Sequence, residues 1–102
     1  MAEPSFSARF SELYDRVTQG PGELPAAVRR AAASGTAVPA AAQAYTDKVR
    51  RHAYKVVDGD VEELRATGWS EDEIFELTVA IAMGAGMSRF EHARRVLDEA
   101  TR

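Results

Sequence analysis

Ile74-Phe75-Glu76-Leu77-Thr78-Val79-Ala80-Ile81-Ala82-Met83-Gly84-Ala85-Gly86 is apolar around almost the whole circumference of a helix. A run of this length with no period-two alternation reads as a helix, and its all-round apolarity predicts a buried central one. Ala80/Gly84 and Ala82/Gly86 are small pairs at four-residue spacing, which permits a second helix to approach closely. The run is opened by Ser70 with Glu73, the spacing of a capping box. Ser88 with Glu91 repeats that spacing and predicts the start of a separate last helix, with Phe90, Ala93, Leu97 and Ala100 on one face.

Upstream, the punctuation is equally regular. Phe6, Phe10, Leu13, Tyr14 and Val17 follow Ser5 at helical spacing, and Gly20-Pro21-Gly22 stops that helix. Pro25 opens a second helix that ends at Gly35. Val38-Pro39 starts a third, expected to be the longest, with Ala42, Tyr45, Val49, Ala53 and Val56 as its apolar stripe. Asp58-Gly59-Asp60 breaks the chain, and either Asp60, paired with Glu63, or Asp58 caps a short helix over residues 61–67 that ends at Gly68. The expectation is a single all-α domain over residues 1–102: a compact bundle of about six helices.

Composition narrows the function classes. The chain has 102 residues, 45% hydrophobic and 28% charged, which is ordinary for a globular domain. Thirteen Lys and Arg face sixteen Asp and Glu, so there is no basic footprint for nucleic acid. The apolar stretch from Val79 to Met87 is far shorter than the ~20 residues that cross a bilayer. With no basic-then-apolar leader pattern, a cytoplasmic location is expected. Cysteine is absent, which excludes disulfides, thiolate zinc sites and iron–sulfur clusters. Alanine clusters at Ala26-Ala27, Ala31-Ala32-Ala33 and Ala40-Ala41-Ala42. Such residues bury little area each, so a homo-oligomer that completes the core is expected.

From Leu64 the chain reads Leu64-Arg65-Ala66-Thr67-Gly68-Trp69-Ser70-Glu71-Asp72-Glu73-Ile74-Phe75-Glu76 into the small-residue run. This resembles the signature region of the alkylhydroperoxidase D-like / carboxymuconolactone decarboxylase superfamily. Shared features are a short helix, a Gly-hydrophobic-Ser turn, a Glu-Ile-x-Glu helix start and a small-residue-rich helix. The resemblance is strongest over residues 45–97. It implies an all-helical fold that oligomerises, with subunits often sharing the active site. The peroxidase branch places Cys-x-x-Cys-x-x-x-His just before this region. Counted back from Gly68, those positions fall on Ala53, Val56 and Asp60, and the family's upstream glutamate falls near Ala41. Without either thiol, peroxidase chemistry is excluded. The decarboxylase branch also carries a histidine near the Asp60 position. The resemblance thus implies the scaffold without the redox motif, and no cofactor.

Three residues remain candidates for proton transfer. His52 has a reference pKa of ~6.5, suited to general acid–base work, or else it flanks the core stripe of the third helix. Asp60 stands at the family's proton-transfer position, or simply caps a helix. Glu76 enters a nearly all-apolar helix, where it either complements the helix dipole or contacts a ligand. Lys48, Arg51 and Lys55, with His52, share one face at three- and four-residue spacing, fit for a carboxylate, a phosphate or an acidic partner, or for plain solvation. Tyr45 and Tyr54 are expected to pack, and His92 to lie on the surface. Two histidines forty residues apart make no metal site. The leading expectation is a non-redox, oligomeric helical domain that binds a small molecule or protein partner. The alternative is a small enzyme using His52, Asp60 and Glu76 on a small acid or lactone.

Overall fold

Each helix begins and ends where its local chemistry dictates. The computed structural model describes residues 6–102, with side chains from residue 8 onward; Ser5 and the Phe6 side chain lie outside the described part. Helix α1 (Phe6–Gln19) stops at Gly20-Pro21. Helix α2 (Ala26–Ser34) follows Pro25 and ends at Gly35, whose φ of 79° is the left-handed conformation that glycine adopts without strain. Helix α3 (Ala40–His52) follows Pro39 and runs into one 3₁₀ turn, Ala53–Lys55. Helix α4 (Asp58–Ala66) and helix α5 (Glu71–Ala100) complete the chain. The described residues are all-α, with no strand among them.

Three expectations need correcting. Among the described residues there are five α-helices rather than about six, because α5 runs unbroken for 30 residues through Gly84, Gly86 and Ser88. Ser88 and Glu91 have capping-box spacing, but a cap also needs a non-helical backbone at its first residue, and here the helix passes straight through. Glycine weakens a free helix by ~1 kcal/mol; tertiary contact at Gly84 offsets that weakness. The longest helix is therefore α5, not α3, which has 13 residues. Helix α4 also starts earlier than expected. Asp58 and Asp60 both lie in its first turn, after Val57. Valine has no side-chain acceptor, so the cap is one-sided: the Asp60 carboxylate accepts from the Val57 N–H at 2.8 Å. Ser70 and Glu73, by contrast, make the full reciprocal box at 2.9 and 3.1 Å.

The core gathers Leu24, Ala32, Val38, Ala42, Tyr45, Leu64, Ile74, Leu77, Ala80 and Ile81. Helices α1, α2 and α3 all pack on α5, and α2 lies closest. Gly84 explains that closeness. A Cβ there would overlap the backbone carbonyl of Ala33, so the two helices touch main chain to main chain. Arg50 of α3 then donates to the Ala32 and Ala33 carbonyls, satisfying the end of α2. Helix α5 is buried on one side only. Ile74, Leu77, Ala80, Ile81 and Gly84 face inward, whereas Phe75 on the opposite side is 69% exposed.

The molecule is elongated, 51 × 29 × 21 Å, with a radius of gyration of 15.4 Å against ~13 Å for a compact domain of this length. The cause is α5: a 30-residue helix spans ~45 Å. From Glu91 onward every residue is exposed.

Replacing Gly84 by alanine forces α2 and α5 apart and is expected to destabilise by about 2 kcal/mol. Gly86→Ala meets only ordinary contact with the Phe10 ring, at 3.7 Å, and should be neutral or stabilising by up to ~1 kcal/mol. Urea unfolding at one protein concentration compares the two; equal effects would refute the close-contact account.

Candidate functional site

Helices α3 and α4 leave a groove of about 230 Å³ between them, lined among others by Ala41, Tyr45, Lys48, Asp60, Leu64 and Thr67. Its charged pair is Lys48 and Asp60. The Lys48 Nζ donates to both carboxylate oxygens, at 3.0 and 2.8 Å. The Lys48 ammonium, and then the Val57 N–H, hold the Asp60 carboxyl below its ordinary value of 3.8. Asp60 is thus a firmly ionised carboxylate with its lone pairs engaged, which makes it a weak base and rules it out as a proton donor near neutral pH. Deeper in, the Thr78 hydroxyl donates to the Ile74 carbonyl at 2.7 Å. The 2.6 Å contact between Tyr45 and Thr78 therefore has the Tyr45 hydroxyl as donor.

The other candidates lie apart from this groove. His52 is the exposed last residue of α3, with its ring edge-on to Tyr54 at 6.1 Å, and it does not line the groove. Tyr54 is 80% exposed, so it does not pack in the core as its residue type suggested; Tyr45 does. The expected basic face of Lys48, Arg51 and Lys55 is divided. Lys48 turns to Asp60, Arg51 is exposed, and Lys55 sits beyond the helix end with its Nζ 5.8 Å above the Tyr54 ring. His92 is exposed on α5.

Glu76 has a different partner altogether. Its carboxylate accepts from the Glu23 N–H at 3.0 and 2.9 Å and from the Leu24 N–H at 3.0 Å. It anchors the loop between α1 and α2. Arg29 grips the same loop from the other side, and it escaped sequence reasoning. Only 4% exposed, it donates to the carbonyls of Leu24 at 3.0 Å, Val17 at 2.9 Å and Gly20. One signal for it was present: Arg29 shares the Ala32-Ala33 face of α2, where a solvated arginine has no place. Together Glu76 takes the N–H groups of Glu23 and Leu24 and Arg29 the carbonyls of Val17, Gly20 and Leu24, so the connection from α1 to α2, which lacks helix or sheet partners, is held from both sides.

Among the described residues no group of three or more His, Cys, Asp or Glu is placed to hold a metal ion, and no helix is long and apolar enough to cross a membrane. Comparison with protein-family models, with curated proteins and with solved structures finds no match to this chain.

Glu76→Ala leaves two loop N–H groups without their charged acceptor and should cost about 1–3 kcal/mol, with Glu76→Gln losing less because its amide oxygen still accepts. Chemical denaturation measures both; a neutral Glu76→Ala would refute the anchoring role. Asp60 carries a pH signature. Because its folded-state pKa is depressed, the stability from the Lys48–Asp60 contact is present above the ordinary carboxylate range and is lost as pH falls through the folded-state value. The gap in urea midpoint between wild type and Lys48→Met should therefore shrink from pH 7 to pH 3. A constant gap would show that the ion pair contributes nothing.

Proposed function

We propose that this chain is a non-redox, self-associating helical domain on the carboxymuconolactone decarboxylase-like scaffold, serving to bind a small molecule or a protein partner. One observation carries the reading: the carboxylates singled out for proton transfer already hold other groups. Asp60 is bonded to Lys48 and to the Val57 N–H, Glu76 to the 23–24 backbone. His52 stands exposed at a helix end with an aromatic edge as its neighbour. A proton-transfer site needs its groups to converge on one reacting atom, and neither His52 nor Glu76 lines the groove that contains Asp60.

The resemblance described above gives the scaffold half of the reading. Ala41 and Asp60, the positions aligned with the family's glutamate and histidine, share the α3–α4 groove. That groove is smaller than the ~300–1,000 Å³ typical of pockets for drug-sized ligands, so its natural occupant is small. Exposed apolar side chains at Phe75, Val96 and Leu97 support the self-association half, since a monomer leaves them in water.

Two measurements test this function. Light scattering at high micromolar concentration should give a mass above the 11.1 kDa of one chain; a monomer there sinks the self-association. A thermal-shift screen with small carboxylates, lactones, phosphates and divalent metals should then be run on wild type and His52→Ala. A ligand at about a hundred times its dissociation constant stabilises the native state by ~2.7 kcal/mol. Any stabilising ligand should act equally on both proteins; a shift abolished by His52→Ala would favour the enzyme reading instead.

A further inference from the structure

Most of the polar hydrogens around the α3–α4 groove are already spent. Thr67 donates its hydroxyl hydrogen to the Leu64 carbonyl at 2.7 Å, and Tyr45 donates its own to Thr78 at 2.6 Å. A hydroxyl that has given its one hydrogen away can only accept from anything else. Glu63, which also lines the groove, is an exposed carboxylate with no hydrogen bond or ion pair among the described residues. The one donor side chain is Lys48, and its ammonium is turned onto both oxygens of Asp60.

Charge leads the same way. In the groove one ammonium, Lys48, stands against two carboxylates, Asp60 and Glu63, and the Lys48–Asp60 pair cancels itself. What remains is Glu63, with the Thr67 oxygen four residues on and so on the same side of α4. A carboxylate or phosphate entering here meets a like charge and hardly a free N–H. A lactone brings acceptors to a place where acceptors already stand unmatched. A ligand with its own N–H hydrogens and a positive charge meets both needs. The rest of the wall is aliphatic, with Ala41 and Ala44 from α3 and Leu64 from α4.

We infer that the α3–α4 groove binds a small primary alkylammonium, its nitrogen between Glu63 and Thr67 and its carbon chain along Ala41, Ala44 and Leu64. The inference rests on the small-molecule half of the function proposed above and gives it a ligand class. A volume of about 230 Å³ suits a chain of a few carbons. Water and salt screen an exposed carboxylate, so the affinity is on the order of millimolar.

The test is two-dimensional amide NMR of the whole chain, titrated at fixed ionic strength with n-butylammonium to about 50 mM, a span that brackets millimolar affinity. Sodium butyrate and γ-butyrolactone are titrated alongside. Butylammonium should move the amides of Ala44, Glu63, Leu64 and Thr67, and butyrate should bind at least tenfold more weakly. Glu63 holds no other group of the fold, so Glu63→Gln should keep the wild-type spectrum elsewhere while weakening butylammonium about fivefold, the scale of an exposed ion pair. Glu62→Gln removes the same charge from a neighbour that pairs with Arg65 at 3.2 Å and does not line the groove; binding should be unchanged there. Shifts confined to other residues, a Glu63→Gln variant that binds as wild type does, or an equal loss in both variants overturns the inference. Groove amides that answer to butyrate or the lactone in place of butylammonium overturn it while small-molecule binding stands. No response to any of the three overturns the inference and the small-molecule reading of the groove together.

Discussion

Ala33 and Gly84 meet with no side chain between them, and much of the molecule is arranged around that contact. A short, alanine-rich helix has little apolar area with which to hold its place. It gains enough only by lying directly on its neighbour, where dispersion contacts and exclusion of water act over the main chain as well as the side chains. Glycine at position 84 allows this, and it does so in the interior of a helix, where glycine would otherwise be a weak point. Once α2 is seated, its two ends must be satisfied. Arg50 reaches from α3 to the carbonyls at its C-terminal end, while Arg29 collects the carbonyls of the loop that leads into it.

The polar groups follow from this packing rather than from a reaction. A buried guanidinium such as Arg29 is tolerated because three carbonyls surround it. Glu76 completes the arrangement by accepting the N–H groups that the same loop presents to its other side. Charged side chains with this kind of occupation are poor reagents: moving a proton on Glu76 would release the loop it anchors. Asp60 is held in the same manner, by Lys48 and the start of α4. The domain's ionisable groups near its core thus act as braces, which is the physical reason to look for its function on its surfaces and in its groove.

Helix α5 has two opposite characters along its length. Its first half is a core element, pressed on by α1, α2 and α3; its second half projects into solvent with the ring of Phe90 stacked on Phe10 at the junction, centroids 5.9 Å apart. An unbroken helix is stiff enough to carry an apolar face well beyond the domain's own core. The all-round apolarity of residues 74–86 has its explanation there: one side faces the core of this chain and the other lies along the exposed face that continues to Ala100.

The all-α class, the caps at Ser70 and Gly35, the stop at Gly20 and the start after Pro39 were all legible in the residues, because each depends on backbone chemistry within a few positions. Absence of thiol chemistry was legible for the same kind of reason: it needs only the composition. What the local pattern could not convey was whether Ser88 begins a new helix, since a capping box describes a possible start and the chain on either side decides whether a break occurs. The same holds for side-chain roles. Glu76 beside an apolar run reads equally well as a ligand contact or a brace, and only the approach of residues 23 and 24, some fifty positions away, decides between them. Arg29 and Lys48 found their partners in the same way. Their charges were visible from the start, but the carbonyls and the carboxylate they meet are brought within reach by the packing of α2 on α5 and α3 on α4, which is a property of the whole chain.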